Sequence, residues 1–276
     1  MLTAALGCRS IPDAVRIGGE TSMRPLRRMK LFNGVDLNGW TTWLVDSRGA
    51  DPRKVFGVTN GWLRISGDGL GYVGTRESYR DYRLVLEYRW GSNNTRWGDR
   101  LGRARDSGVF LHAQGPDGNS HDGRGAFRAA IECNVFEGAT GDFLLIRGDD
   151  AEGRLIAPWV EAEVLERRDA EGWPWWQAGG RVERLERMGR VNWKDRSADW
   201  RDVTGFRGTD DRELPAPAWN RLEIVSVRGR IEIWLNGGKV NEVIRSWPDS
   251  GPILLQCEGS EIFFRRVELW PVEGER

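Results

Sequence analysis

Polar and apolar residues alternate with a period of two along most of the chain after Lys30, the pattern of strands that bury one face. In residues 82–90, Leu84, Leu86, Tyr88 and Trp90 share one face, and Val85, Glu87 and Arg89 share the other. Shorter interleaved runs occupy 107–112 and 130–137. The run 221–227 turns at Arg228-Gly229-Arg230 into 231–235 and turns again at Asn236-Gly237-Gly238, a meander with glycine-centred hairpins. A last hairpin joins 252–258 to 261–270 across Gly259-Ser260. Many short strands with glycine-rich turns and almost no helical period predict an all-β fold, a two-sheet antiparallel sandwich or jelly roll.

The strand rhythm breaks from about Asp149 to Pro217, which reads as a long insertion holding Trp159, Trp173, Trp175, Trp176, Trp193 and Trp200. Segments 151–171 and 181–190 are rich in Glu, Arg, Leu and Ala but show no clean apolar stripe, so a short helix and an ordered loop are equally allowed. Long loops in compact domains are usually lids or binding loops, with structural packing as the competing account.

Composition narrows the function classes. The 276 residues carry 41 basic and 41 acidic side chains, so no net field attracts a polyanion or an acidic membrane. No run of roughly 18 apolar residues is present to span a bilayer. A chain of this size can bury roughly three quarters of its unfolded surface, and length allows one or two domains. Three cysteines make no disulfide framework, and Cys133 and Cys257 sit in apolar runs as small buried thiols do. Cys8 closes Leu2-Thr3-Ala4-Ala5-Leu6-Gly7, which reads like the end of an export signal with an acylated cysteine. Residues 1–29 are thus expected to be a flexible leader ahead of one domain over 30–272, and two readings stay open for it: a truncated lipoprotein signal, with a lipid anchor at Cys8 and an envelope or periplasmic location, or an unrelated tail.

The sharpest local chemistry is Glu132-x-Asn134-x-x-Glu137. Residues i and i+2 of a strand share a face, and a bulge would add i+5, lining one groove with two carboxylates and an amide. That set suits acid/base or nucleophilic work at a glycosidic carbon. The bland account, favoured on spacing alone, is the wet face of a half-exposed strand. Gln256 and Glu258 repeat the design, while Glu87 and Arg89 read as cross-strand ion-pairing groups. His112 ends an apolar strand and His121 lies in a glycine-rich loop, with no cysteine spacing that would make a zinc site. Asp117, Asn119 and Asp122 of that loop leave a divalent metal such as calcium open without its full ligand spacing, and no other cofactor is called for. The 15 tryptophans suggest carbohydrate, because aromatic faces stack on pyranose C–H faces. Trp62, Trp90, Trp234 and Trp270 are expected in the core and sugar platforms among the insertion tryptophans, Trp193 in particular. No nucleophile elbow, P-loop or dinucleotide fingerprint is present.

The order of segments resembles the 3-keto-disaccharide hydrolase family. It opens with Leu31-Phe32-Asn33-Gly34-Val35-Asp36-Leu37-Asn38-Gly39-Trp40. Tyr79-Arg80-Asp81-Tyr82, Asp106-Ser107-Gly108-Val109-Phe110-Leu111, Ile131-Glu132-Cys133-Asn134 and Gly141-Asp142-Phe143 follow. Trp219-Asn220, Leu235-Asn236-Gly237, Gly251-Pro252-Ile253-Leu254-Leu255-Gln256 and Phe264-Arg265-Arg266-Val267 complete it. The resemblance implies a concanavalin A-like jelly roll, as in legume lectins and laminarinase-type glucanases. In those glucanases a Glu-x-Asp-x-x-Glu strand carries nucleophile and acid/base. Glu132 and Glu137 hold its outer positions here, and Asn134 replaces the middle carboxylate. Relatives often have His where Glu258 stands and Asn where Asp106 stands. The implied activity is cleavage of a 3-keto-glycoside or 3-keto-disaccharide, by hydrolysis or by elimination across C1–C2. The resemblance then makes Glu132 base or acid, and gives His112, Gln256 and Glu258 the oxyanion or hydroxyls. It leaves Arg89 or Arg105 to supply positive charge. The partner is an oxidised saccharide; the alternative is a lectin-like carbohydrate-binding module without catalysis.

Overall fold

A computed structural model describes residues 22–272 and the backbone of 14–16. Two antiparallel sheets face each other. The front sheet has seven strands in the order Arg190–Val191, Phe143–Ile146, Ala129–Phe136, Asp106–Gln114, Leu254–Glu258, Leu70–Thr75 and Trp40–Leu44. The back sheet runs Gly238–Val243, Arg230–Leu235, Asn220–Val227, Tyr82–Asn94, Ser260–Pro271, Trp62–Ile65 and Phe56–Thr59, with Met29–Lys30 added against Ser260–Pro271. The consecutive strands Leu254–Glu258 and Ser260–Pro271 enter the middle of opposite sheets. This is the jelly roll that the alternation predicts.

The alternating residues interleave between the sheets. Val109, Leu111, Ile131, Cys133, Val135 and Leu255 from the front meet Leu84, Leu86, Tyr88, Ile224, Ile262 and Phe264 from the back in one buried cluster. Asn236 and Gly237, at φ 48° and 83°, give the hairpin before Gly238–Val243 two left-handed residues, as its tight turn requires. The outer face of the front sheet is not bare either. Tyr72, Phe110, Ala130 and Leu254 form a second apolar cluster with Phe127 from the loop after Gln114. Ala129–Phe136 is buried along its whole length as a result.

The insertion is built of strands rather than a helix. Trp159–Arg168 pairs with Arg181–Glu186 on one edge and with Pro174–Trp176 and Arg245–Trp247 on the other. Its period is two after all: Val160, Ala162 and Val164 point inward and join the main core, while Glu161 and Glu163 point out. Among the described residues the sole helical element is the 3-10 turn Trp97–Asp99. Asp142 fastens the insertion by accepting the Trp193 N–H at 2.8 Å. Trp193 is therefore a core residue, 1% exposed, and not a sugar platform. Trp90 is in the core as expected, but Trp62, Trp234 and Trp270 are half-buried, and the alternation of their strands turns Trp62 and Trp234 outward.

The chain joins the sandwich before residue 30. Met23 N–H donates to Ser78 O at 2.7 Å, and Arg28 ion-pairs with Glu268. Cys8 lies outside the described residues. No helix among them is long and apolar enough to cross a membrane.

Candidate active site

The register brings a set of polar side chains to the outer face of the front sheet. Glu132 stands between Phe110 and Leu144 on its neighbouring strands, and Asn134 stands opposite Gly108. Leu254 pairs with Phe110, so Gln256 and Glu258 continue along the next strand beside Gly108 and Asp106. Residues paired across antiparallel strands share a face, which puts Asp106, Glu132, Asn134, Gln256 and Glu258 together. They line a cleft of about 220 Å³ together with His121, Asp122, Phe127, Arg147, Met188 and Arg190.

Gly108 is the floor. A Cβ at this position would collide with Glu132 Oε1 and lie 3.0 Å from Gln256 Oε1, so only glycine lets the two side chains converge over the strand. Neither Glu132 nor Asn134 is the wet face of an exposed strand. Glu132 is 3% exposed, Asn134 4% and Gln256 2%. Gln256 Nε2 donates to Glu258 Oε2 at 2.7 Å, while Gln256 Oε1 is buried without a partner. Glu132 makes no side-chain hydrogen bond among the described residues. The Glu132 carboxyl and the orphaned Gln256 oxygen thus both approach the space above Gly108.

Electrostatics point the same way. Burial, then the charge of Glu258, hold the Glu132 pKa well above its ordinary value, against the pull of Arg190. Asp106 is raised well above the usual carboxylate range by burial and by Glu258. Burial pushes Glu258 up to about 7, with Arg100 opposing. Three carboxyls so arranged cannot all ionise near neutral pH, which separates proton donor from acceptor. Among the described residues no three acidic, histidine or cysteine side chains group as a metal-binding set. In the glycine-rich loop Asp117 accepts from the Tyr72 hydroxyl at 2.5 Å, Asn119 Oδ1 from Ala129 N–H, and Asp122 from three successive backbone N–H groups. These side chains brace the loop.

Several expected site residues lie elsewhere. His112 sits in a bulge at φ 57°, which turns its ring into the core rather than the cleft. Its Nε2 lies 3.1 Å from the Tyr82 hydroxyl and its Nδ1 3.1 Å from Pro248 O, and burial lowers its pKa to about 4. Glu137 follows the end of its strand, where Arg105 binds it at 2.6 Å in a buried ion pair. Neither residue lines the cleft. Arg89 lies on the outer face of the back sheet, its guanidinium 4.5 Å from the Trp62 ring and 5.2 Å from those of Trp219 and Phe263.

The sequence reading missed Asp106, Arg147 and Arg190 as cleft residues. Asp106 was findable, since it lies two positions before Gly108 and so on the same face. Arg190 had no signal, because it reaches the cleft only through the two-residue edge strand paired with Leu144.

A family model described as the 3-keto-alpha-glucoside-1,2-lyase-like domain matches residues 28–269. The chain belongs to this family. Within the lyase-like domain the matched span includes every cleft residue named above. No curated protein matches the chain. Among solved structures it is similar to a presumed glycosyl hydrolase from Parabacteroides distasonis, at 17% identity and TM-score 0.48, over 90% of this chain and 94% of that one. It is also similar to the beta-glucanase of Bacillus licheniformis, at 10% identity and TM-score 0.43, over 88% and 97%. Carbohydrate binding module CBM66 from Bacillus subtilis is similar at 13% identity and TM-score 0.40, over 83% and 94%.

Proposed function

We propose that the protein cleaves the glycosidic bond of a 3-keto-glycoside by elimination across C1–C2, followed by addition of water. The observation that carries this reading is the unpartnered, buried Glu132 carboxyl over Gly108, in one cleft with a second carboxyl that titrates near 7. A ketone at C3 acidifies the C2 hydrogen, so a carboxylate can remove it. Glu258, its ionised form held by Gln256, takes that proton while the electron pair moves into a C2–C3 double bond and onto the ketone oxygen. Arg190 is the cation on the cleft wall for that oxygen. The pair then returns, the C1–O bond breaks, and Glu132 protonates the departing oxygen. In the reverse sense Glu132 takes a proton from water as its oxygen adds to C1, and Glu258 returns its proton to C2. Both carboxyls are restored and the product is the free 3-keto sugar.

A chromogenic 3-keto-glucoside and the matching unoxidised glucoside test this by aglycone release. Release from the keto form alone is expected, falling by about a hundredfold or more in Glu132→Gln. Undiminished turnover in that variant would remove Glu132 from the mechanism. Sugar binding without release from either compound would shift the reading to a binding module.

A further inference from the structure

One wall of the cleft carries charge that the proton transfers do not use. Arg147 follows the strand Phe143–Ile146 and lines the cleft, its backbone carbonyl accepting the His121 N–H at 3.0 Å. Its guanidinium has no hydrogen bond or ion pair among the described residues, and its Nε is buried without a partner. Arg190 also has no side-chain hydrogen bond there, and its one ion-pair contact among the described residues is with Glu171 at 4.0 Å. None of the acids lining the cleft, Glu258 included, forms an ion pair with Arg147 among the described residues. Asp122 is occupied by backbone N–H groups, and Asp149 by His121 at 2.8 Å. Glu132 and Asp106 are held toward their neutral forms.

A guanidinium partly removed from water with nothing to bind is costly, and its planar fork fits carboxylate or sulfate oxygens. We propose that Arg147, with Arg190 on the same wall, forms a subsite for an anionic substituent, so that the preferred substrate is an acidic glycoside bearing a carboxylate or a sulfate. Arg147 has no partner among the described residues to occupy it, whereas Arg190 acts on Glu132. Arg147 is therefore the group free for recognition, and Arg190 serves both ends. The inference deepens the proposed function of this cleft and rests on it for the reaction, though not for the binding.

The test compares a chromogenic 3-keto-glucoside with the corresponding 3-keto-glucuronide and 6-sulfate. The anionic forms are expected to be preferred in kcat/KM by on the order of tenfold, about 1.4 kcal/mol. That preference shrinks to about twofold or less in Arg147→Gln and is partly kept in Arg147→Lys. Whichever anion shows the larger loss identifies carboxylate or sulfate as the ligand. In parallel, Glu132→Gln is titrated with methyl glucuronide, methyl glucoside 6-sulfate and methyl glucoside. Tighter binding of an anion, weakened by adding Arg147→Gln and by high salt, supports the subsite even if no keto-glycoside is cleaved. Cleavage of neutral and anionic substrates at equal kcat/KM, or a preference indifferent to Arg147, overturns it while leaving the proposed reaction standing.

Discussion

Glu132 is a carboxyl kept in a place that stability alone would not choose. Its folded pKa lies above the unfolded value, so the native state holds a proton that the unfolded chain releases once pH passes its ordinary value of 4.5. Stability from this group is present at low pH and is lost as pH rises. Glu132→Gln is expected to unfold at a higher temperature than the wild type at pH 8 and at nearly the same temperature at pH 4, while activity is lost. A variant less stable at both pH values would contradict this. Gly108→Ala tests the floor from the other side. Its Cβ must displace the Glu132 carboxyl, at a cost of about 1–3 kcal/mol in denaturant unfolding and at least roughly tenfold in turnover. Wild-type turnover in that variant would show that the convergence of Glu132 and Gln256 is not needed.

Strands decide which residues reach the cleft, and small departures from regularity decide which do not. The bulge between Ala129 and Ile131 against Asp106–Gln114 sends His112 inward, and the end of Ala129–Phe136 releases Glu137 to Arg105. Period two legibly placed Glu132, Asn134, Gln256 and Glu258 on polar faces. It was equally present in Trp159–Arg168, where frequent Glu and Arg concealed it behind a composition that also suits helices. That small sheet shares the main core through Val160, Val164 and Leu185. Leu185→Ala is therefore expected to cost about 2–3 kcal/mol in a single global unfolding transition. Two separate transitions, or an unchanged midpoint, would show instead that the insertion behaves as an independent lid.

For the whole molecule, balanced composition hides an uneven distribution of charge. Surface arginines and acids pair, whereas Asp106, His112, Glu132 and Glu258, all on front-sheet strands, are buried and strongly shifted. His112 stays neutral in the native state until about pH 4, against 6.5 in the unfolded chain. Its folded pKa is depressed, so the stability associated with its neutral form is intact above 6.5 and is lost as pH falls toward 4, by about 3 kcal/mol. The three raised cleft carboxyls act in the opposite sense, each losing stability as pH rises past its ordinary value, for Glu258 up to about 7. Urea unfolding of His112→Asn and wild type across this range is expected to show the variant's relative stability improving steadily as pH drops from 6.5 to 4. A difference independent of pH would mean that His112 is not excluded from protonation.

Alternation and turn chemistry by themselves determined a two-sheet antiparallel fold, because a strand with one apolar face must bury it against another. The ordered motifs pointed to the family, and the face shared by Glu132 and Asn134 marked where chemistry belongs. Tertiary structure alone decided that the polar side chains of this face are buried, since the second apolar cluster and its loop pack against the front sheet from outside. It alone gave the cleft Arg147 and Arg190, from chain segments whose local pattern says nothing of Glu132, and it withheld His112, Glu137, Arg89, Arg105 and Trp193. Period two fixes which side of a strand a residue occupies; what stands opposite that side is set by pairings between residues far apart in the chain.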